Sequence, residues 1–265
     1  MELNTIMAVI DPTQEDQPAF GRGLFSAKLT GASLHLYACI NESYGEDDQE
    51  TAISAMRKNL QSLCDTASDA GVQCVLEIDW AADWRKQIVK ASVRIKADML
   101  IKHAIDHSST DRELRETADW TILRSVSCPV LIIKNHTRWE KRRILAAIDV
   151  NAADDKHQKL NKQIVEFTRG LADTYDSTAH FVNAFYDKNH EPDTNALSEL
   201  CGVDQQQIHV VRDTAAEAIS KTANAIEADL IIIGTVARNG IKARFLGNTS
   251  ERLLDHTHSD LLVIH

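Results

Sequence analysis

Gly247-Asn248-Thr249-Ser250 sets a glycine, an amide and two hydroxyls just ahead of a helical pattern that opens at Glu251. Free backbone N–H groups and the positive end of a helix dipole would converge there with the hydroxyls, which is anion-binding chemistry. A plain glycine turn with a Ser/Thr cap accounts for the same residues and stands beside that reading. Thirteen positions earlier the apolar run Leu230-Ile231-Ile232-Ile233 ends in Gly234, followed by Thr235-Val236-Ala237-Arg238-Asn239-Gly240. A glycine directly after a strand lets backbone approach a ligand where a Cβ would stand in the way. Two carboxylates close similar runs: Asp11 after Ile6-Met7-Ala8-Val9-Ile10, and Asp149 after Ile144-Leu145-Ala146-Ala147-Ile148. Each would project beyond a strand end, or else cap the helix that follows.

Other side chains offer chemistry at less telling spacings. His103 and His107 lie four apart, with Asp106 beside the second. On a helix they would present two imidazoles to zinc, although a closed site needs two more ligands and the sequence names none. Solvated loop residues are the alternative. The sequence has no nucleophile elbow, and the 234–247 glycines do not match the eight-residue Walker spacing, with no lysine after Gly247. No catalytic residue is assigned, and any ATP turnover is expected to be slow and incidental.

Composition narrows the partners. The formal charge is −10, and no Lys/Arg stripe collects in either half, which disfavours nucleic acid. The run Arg138-Trp139-Glu140-Lys141-Arg142-Arg143 is short, interrupted by Glu140, and reads as a solvated linker. Apolar runs are too short to span a bilayer. Five cysteines, Cys39, Cys64, Cys74, Cys128 and Cys201, follow no Cys-x-x-Cys or framework spacing. Such a set fits reduced thiols, so a cytoplasmic location is expected.

The elements that must position these groups occur twice. Strand-like runs at 5–10, 33–40, 73–79, 98–102 and 129–134 return at 143–148, 178–185, 206–212, 229–234 and 260–265. Amphipathic stretches at helical spacing separate them: 83–96 carries Ile88, Val89, Ala91, Ser92 and Ile95, and 214–227 carries Ala215, Ala218, Ile219, Thr222 and Ile226. A repeat of roughly 130 residues is domain-sized, far beyond a solenoid unit. Short continuous apolar strands alternating with helices imply a parallel sheet covered on both faces. Each copy thus reads as a doubly wound five-stranded α/β domain, with ligands expected beyond the carboxyl ends of the strands. The copies differ at one loop. No glycine occurs between Gly71 and Gly170, so strand four of the first copy enters Lys102-His103-Ala104 without one.

The pattern resembles the universal stress protein family, and within it the tandem E-type. That family has this strand–helix order, an Asp ending strand one, and Gly-x-x-Gly, nine residues, then Gly-Ser/Thr in its nucleotide-binding members. The second copy gives Gly234-Thr235-Val236-Ala237, Arg238 to Leu246, then Gly247-Asn248-Thr249. Thr117-Ala118-Asp119-Trp120, Leu123-Arg124, Cys128-Pro129-Val130 and Phe245-Leu246-Gly247-Asn248-Thr249 carry the tandem likeness. The resemblance implies a Rossmann-like nucleotide-binding fold and two domains, 1–138 without a nucleotide loop and 139–265 with a partly retained one. These would pair as an intramolecular pseudo-dimer through 129–134 and 260–265, joined by about eight linker residues. It further implies ATP or ADP in the second domain. Asp149 would contact the adenine–ribose portion, Ile233 and Gly234 would flank base and sugar, and Val236 and Ala237 would follow in the loop. Gly247, Asn248, Thr249 and Ser250 would hold phosphates.

Two positions depart from the family pattern. Ala237 stands where glycine is expected, a strain of about 1 kcal/mol if the backbone there is left-handed. Asn248 replaces Ser/Thr, though it tolerates left-handed φ and can still donate. The expected function is a non-enzymatic stress-response or ligand-sensing protein, able to self-associate further. A slow ATPase or nucleotide switch at 234–250 is one alternative. The other is a crevice for an amphipathic metabolite with a phosphorylated head group.

Overall fold

The computed structural model describes residues 3–41, 48–104, 118–134, 140–152, 154–235 and 257–265. The chain divides between Ile133 and Lys134 into two compact units.

The first unit contains β1 (Thr5–Ile10), β2 (Ser33–Asn41), β3 (Cys74–Ala81), β4 (Met99–His103) and β5 (Val130–Ile133). They form a parallel sheet in the order β3-β2-β1-β4-β5. Helices α1 (Pro18–Thr30), α2 (Gln49–Asp69), α3 (Trp84–Ile95) and α4 (Ala118–Ser125) connect the strands. Crossovers between parallel strands are right-handed, so α1 and α2 cover one face and α3 and α4 the other. The α3–α4 packing agrees with that placement.

The sequence dictates these elements locally. Proline opens α1, where its missing N–H costs nothing. The Asp48 carboxylate accepts the N–H groups of Glu50 and Thr51 to start α2, and Asp83 accepts that of Lys86 to start α3. Central β1 is buried on both faces, with Ile6, Met7 and Ala8 wholly enclosed. Edge strand β3 is less enclosed, with Leu76 and Ile78 its buried positions.

The second unit repeats the plan with β6 (Arg143–Ile148), β7 (Thr178–Phe185), β8 (Ile208–Arg212), β9 (Leu230–Gly234) and β10 (Asp260–Ile264). Its parallel order is β8-β7-β6-β9-β10. Among the described residues its α-helices are α5 (Asp155–Thr174), α6 (Thr194–Cys201) and α7 (Ala215–Ala225), capped by Asp154, Asp193 and Thr214. Arg142, just before β6, forms a buried 2.8 Å ion pair with Asp260 at the start of β10. Strand β8 starts later than the 206–212 pattern suggests. Gln205–Gln207 instead forms a 3-10 turn, closed by reciprocal bonds between Asp204 and Gln207.

In each unit the strand order reverses direction at the pair formed by the first and fourth strands. In the first unit α1 and α4 follow that pair on opposite faces of the sheet, and a reversal of this kind opens a crevice at the carboxyl ends of the strands. The chain therefore carries two such points, at β1/β4 and at β6/β9.

Candidate functional site

The β6/β9 crevice brings together two groups singled out in the sequence. Ile144 pairs with Leu230 and Ala146 with Ile232, so Ile148 and Gly234 end their strands side by side and Asp149 follows at once. The Asp149 carboxylate is exposed. Its Oδ1 accepts the Asn151 N–H at 3.1 Å, closing a local turn.

Neither strand-end aspartate caps a helix. Asp154 caps α5, and the residue ahead of α1 is Gln17. Asp11 behaves like Asp149, its Oδ1 accepting from the N–H and hydroxyl of Thr13 at 2.9 and 2.6 Å. The capping reading fails because the loops after β1 and β6 let each carboxylate find a donor two residues on, before any helix begins.

The backbone of each aspartate is held by a side-chain amide that sequence reasoning missed. Asp149 N–H donates to Asn161 Oδ1 at 3.1 Å, and Asn161 Nδ2 donates to the Asp149 carbonyl at 2.6 Å. In the first unit Asp11 N–H donates to Gln17 Oε1 at 3.1 Å and Gln17 Nε2 returns to the Asp11 carbonyl at 2.7 Å. A side-chain amide presents a donor beside an acceptor, as a neighbouring strand does. The spacing from aspartate to amide is twelve residues in one unit and six in the other, so no motif could reveal it. Asn183, buried on β7, completes the second-unit clamp by accepting the Val150 N–H at 3.0 Å.

Gly234 has a packing role. A Cβ there would lie 2.5 Å from Leu160 Cδ2 and 2.8 Å from Ile164 Cδ1, both on α5. The side from which its missing side chain would project is filled by that helix. Ile233 is buried beside it in β9. Thr235 follows, its N–H donating to the Ile264 carbonyl and its hydroxyl 2.8 Å from His265 Nδ1. Val236, Ala237, Gly247, Asn248, Thr249 and Ser250 lie outside the described residues.

The equivalent register of the first unit holds different chemistry. Ala8 pairs with Ile101 as Ala146 pairs with Ile232, so Lys102 and His103 occupy the places of Ile233 and Gly234. Lys102 is buried in β4, and its ammonium lies 2.7 Å from a carboxylate oxygen of buried Asp119 on α4. The same ammonium donates to the His103 carbonyl at 2.7 Å. His103 is half-buried at the strand end, and its proposed zinc partner His107 lies outside the described residues, as does Asp106. Among the described residues no group of three His, Cys, Asp or Glu side chains gathers closely enough to hold a metal ion. No helix among them is long and apolar enough to cross a membrane.

Comparison with known proteins gives one answer. The model of the universal stress protein family matches residues 2–134 and 193–265. Asp149, Asn161 and Asn183 fall between those stretches, and Gly234 falls inside the second. The chain is 27% identical over 293 residues to Universal stress protein E of Escherichia coli (strain K12), covering 98% of this chain and 93% of that protein. Identity to the Universal stress protein E homolog of Haemophilus influenzae is 24% over 302 residues, covering 100% and 98%. A solved structure of a functionally unknown protein from Pseudomonas aeruginosa PAO1 superposes with a TM-score of 0.78 at 27% identity, over 99% of this chain and 92% of that one. A universal stress protein from Archaeoglobus fulgidus DSM 4304 shares the fold at 18% identity, with a TM-score of 0.76 over 100% and 99% of the two chains. With two matched stretches, relatives aligned along nearly its whole length and a duplicated five-stranded fold, the chain belongs to the universal stress protein family.

Proposed function

We propose that this protein senses an adenine nucleotide, ATP or ADP, through the β6/β9 crevice of its second unit, without catalysing a reaction on it. The observation that carries this reading is the exposed Asp149 carboxylate at the strand-order reversal beside Gly234, with Asn161 holding the backbone of Asp149 and Asn183 that of Val150. A carboxylate accepts hydrogen bonds from ribose hydroxyls, and a fixed backbone lets it do so without an ordering cost. Ile233 and Gly234 would flank base and sugar, with Val236 and Ala237 next in the loop. Gly247, Asn248, Thr249 and Ser250 would receive the phosphates. The first unit takes no nucleotide in this reading, because a buried lysine and a histidine replace that Ile-Gly pair. A cytoplasmic location and pairing of domains 1–138 and 139–265 through their fifth strands belong to the same proposal.

The direct test is mass spectrometry of what freshly purified protein releases on denaturation, followed by calorimetric titration with ATP. Wild type should bind, and Asp149→Ala should weaken binding by about 10- to 150-fold, the worth of one hydrogen bond to a charged group, with the apo melting temperature unchanged. No binding at millimolar ATP would overturn the nucleotide reading. Release of a phosphorylated amphipathic metabolite would replace it. Separate expression of the two domains tests the pairing, since well-behaved monomers would rule it out.

A further inference from the structure

Two cysteines unrelated by any sequence motif meet in the first unit. Cys64 lies on the inward stripe of α2 with Leu60 and Ala67, and Cys74 opens the edge strand β3. Their sulfurs are 2.7 Å apart. Non-bonded heavy atoms settle near about 3.5–4.0 Å, and a disulfide bond measures about 2.05 Å. Closing the bond therefore needs a movement well under an ångström.

Backbone structure holds the pair in place. After α2 the chain turns at Gly71, whose φ is +79°. Gly71 N–H donates to the Ser68 carbonyl and Val72 N–H to the Ala67 carbonyl, each at 2.9 Å. Leu34 N–H then accepts the chain onto the sheet by donating to the Gln73 carbonyl at 2.8 Å. Buried Val72 anchors the connection between them. Cys64 is 6% exposed and Cys74 is half-buried at the open edge of the sheet, so a small solute reaches Cys74 first.

We propose that Cys64 and Cys74 form a dithiol site that a hydroperoxide converts to an intramolecular disulfide, stapling the end of α2 to β3. The Cys74 thiolate attacks one peroxide oxygen, and the O–O bond breaks. Cys74 becomes a sulfenic acid, and the other oxygen takes a proton and leaves as water or an alcohol. The Cys64 sulfur then attacks the Cys74 sulfur, the S–O bond breaks, and the hydroxyl departs as water with the thiol proton. The two thiols give up two electrons and the peroxide takes them. Burial, and then the neighbouring Cys64 sulfur, hold the Cys74 thiol well above its ordinary pKa. Thiolate is the nucleophile and is scarce at neutral pH, so oxidation should quicken by about tenfold per pH unit.

Both cysteines fall in one tryptic peptide, 59–85, which contains no internal Lys or Arg. The test treats the full-length protein with hydrogen peroxide, alkylates it under denaturing conditions and maps its peptides without reduction. The expected result is that 59–85 becomes two hydrogens lighter and carries no alkyl group until a reductant is added. In Cys64→Ser, dimedone should trap the Cys74 sulfenic acid. Doubly alkylated 59–85 after a dose that oxidises the other cysteines would overturn the proposal, and so would a link between two chains through Cys74.

Discussion

Replacing Gly234 by alanine separates a packing demand from a ligand's demand for bare backbone. The added methyl would lie 2.5 Å from Leu160 Cδ2, 2.7 Å from Leu160 Cγ and 2.8 Å from Ile164 Cδ1, against about 3.5–4.0 Å at equilibrium. Turning a terminal methyl aside relieves the first contact. Leu160 Cγ is one bond from its own Cβ, so the second requires an unfavourable rotamer or a shift of α5. Overpacking of this kind costs about 1–3 kcal/mol. For a unit of about 130 residues each kcal/mol lowers Tm by roughly 3–4 °C, giving a fall of about 3–12 °C. Thermal unfolding by circular dichroism, without nucleotide, should show that fall. Leu160→Ala alone removes a buried side chain at a cost of about 2–5 kcal/mol. The double variant puts the new methyl into the vacated space, so it should be no less stable than Leu160→Ala. The coupling between the two sites is then about 1–3 kcal/mol. A wild-type Tm for Gly234→Ala, or simple additivity in the double variant, would refute the packing argument.

Two further outcomes follow from buried polar groups. Lys102→Met strands the Asp119 carboxylate inside the first unit and should cost about 3–5 kcal/mol in a denaturant titration, whereas Lys102→Met with Asp119→Leu should recover most of it. Equal loss in single and double variants would show that the pair does not act as a pair. His180 and His209 stack on β7 and β8, with Nδ1 and Nε2 3.2 Å apart. Burial lowers the pKa of both, aided by Arg143 beside His180 and by His180 beside His209. The unfolded chain, with histidines near about 6.5, binds more protons than the folded one just below that pH. Stability should therefore be full above about 6.5 and fall as pH drops below it. His209→Phe should flatten that slope in melting curves between pH 5 and 7, and an unchanged slope would exclude the pair as its source.

The architecture was legible because strands buried on both faces must be continuously apolar. The run at 229–234 became Leu230–Gly234 and that at 260–265 became Asp260–Ile264. Site details were less legible, for reasons of direction and distance. A glycine after a strand shows that something comes close, but not from which side, and at Gly234 helix α5 fills the side a Cβ would take. The Asx-type turns at Asp11 and Asp149 have the composition of helix caps, and only the later start of α1 and α5 separates the two. The clamps of Gln17 and Asn161, and the meeting of Cys64 with Cys74, depend on loop lengths that leave no periodic trace. Lys102 could be read as a strand-end residue, while its partner Asp119 belongs to a helix whose packing fixes the pair.

That pair also raises a barrier between the chemistries of the two halves. A first half with apolar residues at both positions could reach Lys102 opposite Asp119 by two substitutions, and could return by two. Every single-step intermediate contains one buried charge without its counter-ion, at a cost of about 3–5 kcal/mol, comparable to much of a domain's entire stability. Drift one residue at a time is blocked in both directions. With a pair of charges in one half and Ile-Gly at the matching place in the other, an electrostatic barrier keeps the two halves in different chemistries.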